Sequence, residues 1–426
     1  MELSKDTRLN LRVVKPDFPI REWVFPELPG KLAAPPWQLY AGLTALILIL
    51  FFTGYRIRIY YHPLTVRLSN SPADIITLDI RELPAALKLL SKARRIDTVL
   101  TEAGVHRQWP ANYFIMGGRQ LGKSTLLKAL ERRYQNDPLT DCRYIALHSE
   151  EIAPDLAEHA GLDARADLAE IIIKLREEPS VNRRLFLINE ADAFIRHEAA
   201  TGYAVLQQLR RLSETGKCHF ILAGFWELYR IASIDYQSPL KNFGEMITIG
   251  ALEKEACRDL AVKPMALLNI GYTSDELVER MIVETGERAN LLAIVCNEML
   301  RNLAKTERTL QEADVLKALE SDAVLTALAG WEGITGNETF DRMDRIVVYA
   351  GILLECFTIE GIMTFLDESG CRYEPQHLRE SLLRLELAFV LKKDKGKGAW
   401  SFCVPLFVKM INEWNPKRIL EAEKRG

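Results

Sequence analysis

Gly117-Gly118-Arg119-Gln120-Leu121-Gly122-Lys123-Ser124 is the stretch on which the reading of this chain turns. It matches G-x-x-x-x-G-K-[ST], a pattern with chemical meaning only between a strand and a helix. Here the apolar Phe114-Ile115-Met116 leads in and the helix-forming Leu126-Leu127-Lys128-Ala129-Leu130 leads out, so the placement is right. Glycines at the first, second and sixth positions let backbone N–H groups curl around a phosphate, and the following helix adds the positive end of its dipole. Lys123 is then expected on the β- and γ-phosphate oxygens, the Ser124 hydroxyl on magnesium, and Thr125 near the α-phosphate. The cofactors this predicts are ATP and Mg2+.

Working outward, strand-like apolar runs at residues 113–117, 143–147, 184–189, 219–223 and 245–249 alternate with amphipathic helical stretches. That alternation is the sequence form of a parallel sheet covered by helices, an α/β core. The run Leu185-Phe186-Leu187-Ile188 ends in Asn189-Glu190-Ala191-Asp192. A strand end of this kind should hold magnesium and orient the attacking water. Asn189 stands where an aspartate is expected, so it serves as a neutral outer partner of the metal, Glu190 is the candidate to polarise water, and Asp192 is a candidate to make up the missing charge. The run 219–223 ends in Ala223-Gly224-Phe225-Trp226 without a polar sensing residue, while Arg230 in the next helix faces either a neighbour or solvent. From 253 the pattern turns wholly helical, as a lid would. Within it Thr285-Gly286-Glu287-Arg288-Ala289-Asn290 opens a helix, and Arg288 is a candidate cationic sensor of phosphate.

The ends of the chain read differently. Residues 1–36 are proline-rich without periodicity, an extended tail. Residues 39–55, LYAGLTALILILFFTGY, carry no charge and as a helix would reach about 26 Å. Trp37 and Tyr40 flank one edge, and Tyr55, Tyr60 and Tyr61 the other, followed by Arg56 and Arg58, as an interfacial belt would place them. A single transmembrane helix over 37–55 is expected, with the sheet domain in the cytoplasm because ATP is there. At the other end, helical stretches at 342–354 and 374–387 precede two short strands, 388–391 and 400–404, joined by a lysine-rich turn, the pattern of a winged helix.

The chain has 426 residues with a formal charge of -3, so no global basic field argues for nucleic acid. Its seven cysteines include no C-x-x-C pair and read as reduced thiols. The units expected are a tail at 1–36, a membrane helix at 37–55, a linker at 56–80, the sheet core at 81–252, the lid at 253–325 and the winged helix at 338–426.

Taken together, the loop at 117–130, the LINEAD strand at 187–192 and the lid turn at 285–291 resemble AAA-like P-loop ATPases of the STAND and archaeal-ATPase type, over roughly residues 80–410. The resemblance implies a P-loop NTPase with a five-stranded parallel core, an extra strand between the phosphate loop and the acidic strand, a helical lid and a winged helix. It departs from the pattern at Asn189, at Ala289 where the lid motif carries proline, and at Asn242 where ring-forming relatives place a trans-acting arginine. It also implies nucleotide-driven switching, often in bacterial antiviral systems. Three functions follow as expectations: an ATP- and magnesium-dependent switch or slow ATPase at the cell inner membrane that signals to protein partners, with self-association left open; a nucleotide-binding scaffold without efficient hydrolysis; or a DNA-binding regulator working through Lys392, Lys393, Lys395 and Lys397. The last is the weakest, because residues 374–387 set Arg379 and Arg384 against three glutamates.

Overall fold

The computed structural model describes residues 44–45, 48–51, 112–134, 140–147, 149–177, 183–216, 218–303, 307–394 and 396–424. The expected tail and linker, and most of the membrane run, lie outside these residues. Among the described residues no helix is long and apolar enough to cross a membrane. The described part of the run is helical, and Leu48, Ile49, Leu50 and Phe51 are all exposed.

Five parallel strands form the central sheet: β1 (Tyr113–Met116), β2 (Thr140–Ala146), β3 (Arg183–Asn189), β4 (Cys218–Gly224) and β5 (Glu245–Thr248), in the order β2-β3-β4-β1-β5. β4 is therefore the extra strand between the phosphate-loop strand β1 and the acidic strand β3. The two-residue period of the strands divides the apolar side chains cleanly between two layers. Tyr113, Ile115, Leu185, Leu187, Ile221 and Ala223 point to one face, where helix α1 (Lys123–Tyr134) covers them with Leu126, Leu127 and Leu130. Phe114, Met116, Phe186, Ile188, Phe220 and Leu222 point to the other. Helices α2 (Ala153–His159), α3 (Leu168–Glu177), α4 (Asp192–Thr201) and α5 (Ala204–Glu214) cover that face, with the short α6 (Trp226–Tyr229) after β4. Burial on both faces is why β1 and β4 read as continuous apolar runs. Asn112, buried just before β1, donates to Ser213 Oγ at 2.7 Å and to the Phe243 carbonyl at 3.0 Å, and accepts from Phe220 N–H at 2.8 Å, so one amide ties α5, β4 and the approach to β5 together.

Beyond the sheet lie α7 (Lys254–Leu267), α8 (Asp275–Glu284), α9 (Ala289–Asn302), α10 (Glu312–Leu319) and α11 (Asp322–Ala329). The region is not wholly helical as expected. Gly271–Tyr272 (β6) and Thr309–Leu310 (β7) form a two-residue parallel ladder inside it, too short to leave a periodic signal.

The C-terminal part contains α12 (Glu338–Leu354), α13 (Ile359–Glu368), α14 (Pro375–Leu387), an antiparallel pair β8 (Leu391–Asp394) and β9 (Ala399–Phe402), then α15 (Pro405–Glu413) and α16 (Pro416–Glu423). α12 starts earlier than its apolar run because the Asn337 side chain accepts from Thr339 and Phe340 N–H groups, capping it. Arg345 binds Glu423 at 2.8 Å and so holds α16 on α12. The apolar residues of this part and of the lid merge into one cluster, so the two share a core.

Candidate functional site

The phosphate-loop residues sit where the motif needs them, between the end of β1 and the first turn of α1. Gly117 N–H reaches the Gly224 carbonyl at 3.3 Å, which pins the loop to the end of β4. Leu121 turns down into the α1 core, Thr125 is buried behind it, and Arg119 and Gln120 stay exposed at the crest. Leu126 N–H bonds the Gly122 carbonyl at 2.9 Å and begins the helix.

Lys123 Nζ donates to the carbonyls of Gly117 and Gly118, each at 2.8 Å, curling back over the loop. Burial lowers its pKa to about 8, against the nearby charges of Asp192 and Glu190, which raise it. An ammonium held away from water beside two carbonyls is poised for a stronger partner, and phosphate oxygens are such a partner.

At the end of β3, Asn189 is buried and its Oδ1 accepts from Ser124 Oγ at 3.2 Å. Glu190 follows, exposed, at φ 58, a left-handed conformation costing about 1 kcal/mol or more in a residue with a side chain. Ser124, Asn189, Glu190 and Lys123 are thus gathered at the carboxyl ends of β1 and β3, the place where open parallel sheets present ligand sites. Among the described residues no three His, Cys, Asp or Glu side chains cluster as a metal cage. The donor set of one hydroxyl and one amide oxygen fits a magnesium that arrives with phosphates and keeps most of its waters.

Asp192 does not stand in for the missing charge at Asn189. Its Oδ2 accepts from Phe225 N–H at 2.7 Å, and its Oδ1 from Glu227 and Leu228 N–H at 3.0 and 3.2 Å, so the carboxylate caps α6. Burial raises its pKa while those three donors hold it down. The same contact explains the absence of a sensing side chain after β4: a Cβ on Gly224 would meet Leu228 Cβ at 2.9 Å and Asp192 Oδ2 at 3.0 Å. Arg230 pairs within its own segment, with Glu227 at 3.0 Å.

The Thr285–Asn290 turn, at the start of α9, lies against this loop. Arg288 Nη2 donates to the Arg119 carbonyl at 3.3 Å, and its Nε is shut off from solvent with no partner among the described residues. Burial lowers its pKa, and no carboxylate pairs with it among those residues. A half-buried guanidinium with no counter-charge among the described residues, beside this loop, is an anion site in form.

Two contacts had no advance signal beyond their proximity to marked residues. Asn290, two positions past Arg288, bonds Gln120 directly. And the end of α14 sits on the loop: Gly118 N–H donates to the Leu387 carbonyl at 2.9 Å, and a Cβ at Gly118 would lie 2.9 Å from Ala388 Cα. Glycine is required there by this close approach of two backbones.

Fold and site together define a P-loop ATPase architecture in which an additional strand separates the phosphate-loop strand from the acidic strand. Among solved structures, the chain is similar to the Walker-type ATPase paby2304 of Pyrococcus abyssi, with a TM-score of 0.54 and 18% identity over 75% of this chain and 95% of that one. It is also similar to the ORC2 protein of Aeropyrum pernix, with a TM-score of 0.48 and 13% identity over 79% of this chain and 94% of that one. The likeness to the first is one of fold, and the second is too distant to carry an argument. No protein-family profile and no curated protein matches the chain.

Proposed function

We propose that this chain binds ATP with magnesium at residues 117–125 and works as a nucleotide-driven switch or slow ATPase that signals to protein partners. The observation that carries the reading is the Ser124 hydroxyl held 3.2 Å from Asn189 Oδ1, with Lys123 folded over the loop beside them. Lys123 would exchange the Gly117 and Gly118 carbonyls for β- and γ-phosphate oxygens, and Arg288 would face the phosphates from the lid. Magnesium, held by Ser124 directly and by Asn189 through a bound water, would supply the charge that offsets the phosphates. Glu190 would orient and polarise the attacking water.

With Asp192 committed to α6 and Asn189 neutral, the site carries one acidic group for water activation and no second acid beside the metal. That favours slow turnover, and it keeps the scaffold reading as the second choice. Asn189→Asp should therefore tighten magnesium-dependent ATP binding and raise turnover, while Glu190→Gln should lower turnover by about a hundredfold. Steady-state phosphate release from the full chain checks both; a wild type, an Asn189→Asp and a Glu190→Gln protein that are all inert would leave nucleotide as a structural ligand.

The chain order of α12, α13, α14 and the β8–β9 pair supports reading residues 338–426 as a winged helix. Its use on DNA loses a contact, because Arg384 is fully buried in an ion pair with Asp344. Residues 37–55 are proposed as a single inner-membrane anchor with the ATPase part in the cytoplasm. The uncharged run and the four exposed apolar side chains at 48–51 support this. Deleting residues 39–55 should move the protein from the membrane fraction to the soluble fraction; an intact protein already found in the soluble fraction would refute the anchor. An antiviral role rests on the family resemblance alone.

A further inference from the structure

Gln120 holds φ 62 in the phosphate loop, a left-handed conformation that glycine takes without penalty and a glutamine resists. Something must hold it there. Asn290, the second residue of α9, is fully buried, where an amide is costly unless it is bonded. Its Nδ2 donates to Gln120 Oε1 at 2.7 Å, and its Oδ1 is enclosed without a partner among the described residues. The loop is thus what this amide is bonded to. The neighbouring bond from Arg288 to the Arg119 carbonyl ties the preceding loop residue to the same lid turn.

We propose that Gln120 and Asn290 form a latch through which the lid holds the phosphate loop in its anion-cradling shape, making Asn290 a positioning residue for the nucleotide. This rests on reading the loop as a nucleotide site. The N–H groups from 120 onward turn toward a bound phosphate only while residue 120 keeps its left-handed backbone. A lid that moves away takes the tether with it, and Gln120 falls back to an ordinary conformation in which the cradle is lost. Lid position and loop shape are then one equilibrium, which nucleotide biases from the loop and a partner can bias from the lid.

The test is a set of affinities for adenosine 5′-(γ-thio)triphosphate with Mg2+, measured by calorimetry on the full chain. Asn290→Ala should weaken binding about fivefold to tenfold, the value of one buried hydrogen bond. Gln120→Ala, at an exposed position that does not threaten folding, should weaken it similarly, and the two together should cost little more than either alone. On a Gln120→Gly background, where the backbone needs no tether, adding Asn290→Ala should change affinity less than twofold. A purely structural Asn290 would not be relieved by that glycine. Additive losses from the two alanines, an undiminished loss on the glycine background, or an Asn290→Ala protein that binds like a nucleotide-binding wild type would each overturn the latch. A wild type with no saturable binding would instead overturn the nucleotide reading, and the latch with it.

Discussion

Replacing Lys123 with alanine should raise the dissociation constant for ATP by roughly a hundredfold or more, because at least two charge-assisted bonds worth about 1.5 kcal/mol or more each are lost. The fold should survive the change. Burial already lowers the Lys123 pKa to about 8, so the native structure disfavours this charge relative to water, and deleting it relieves that cost while giving up the bonds to the Gly117 and Gly118 carbonyls. The expected result is a thermal midpoint close to that of the wild type together with near-complete loss of binding. An affinity within a few-fold of wild type would mean that nucleotide, if bound at all, sits elsewhere.

Arg384→Ala should have the largest effect on stability, about 3–5 kcal/mol, because it strands a buried carboxylate. Arg384 Nε and Nη2 bind Asp344 at 3.0 and 2.7 Å, Ser381 Oγ adds a bond to the same carboxylate at 2.6 Å, and both ions are shut off from solvent. The guanidinium also lies 4.9 Å from the Trp226 ring and 4.8 Å from the Phe340 ring. Trp226 belongs to α6 of the core, so the same arginine clamps α14 to the sheet domain, three residues before the Leu387 carbonyl that meets Gly118. Losing it should lower the unfolding midpoint and expose the junction near residue 388 to limited proteolysis. Removing both ions with Arg384→Met and Asp344→Leu should recover much of the loss, since no charge is then left unpaired. Equal proteolysis patterns and an unchanged midpoint for Arg384→Ala would show that the junction is held by other contacts.

How much of this was legible depends on whether a feature is local. The phosphate loop is, because its function needs fixed spacing between a strand and a helix, and residues 117–125 stand there in the structure. β1 and β4 were readable because burial on both faces leaves unbroken apolar runs. β2 begins at Thr140 rather than near residue 143, because an edge strand is free to carry Asp141 and Arg143, which bond each other at 2.8 Å. The helix at Ile359–Glu368, with its Thr358 cap, stands between the two expected helices, and the paired strands differ from the expected 388–391 and 400–404: the first lies three residues later, and the second starts one residue earlier and ends two earlier. What could not be read locally was which partner a polar side chain takes. Asp192 looks from its position like a magnesium residue, yet three N–H groups at the start of α6, those of its cap Phe225 and of Glu227 and Leu228, 33 to 36 positions further on, use both its oxygens. Asn290 and Leu387 reach the loop from 170 and more than 250 positions away, distances over which spacing carries no information.

Equilibrium titration of the full chain with a fluorescent ATP analogue, with Mg2+ present and then removed by EDTA, tests the central claim most directly. Saturable binding at one site per chain, weakened when the metal is withdrawn, is the result that Lys123, Ser124 and Asn189 predict from their placement. Binding that fails to saturate, or that is indifferent to magnesium, would contradict it.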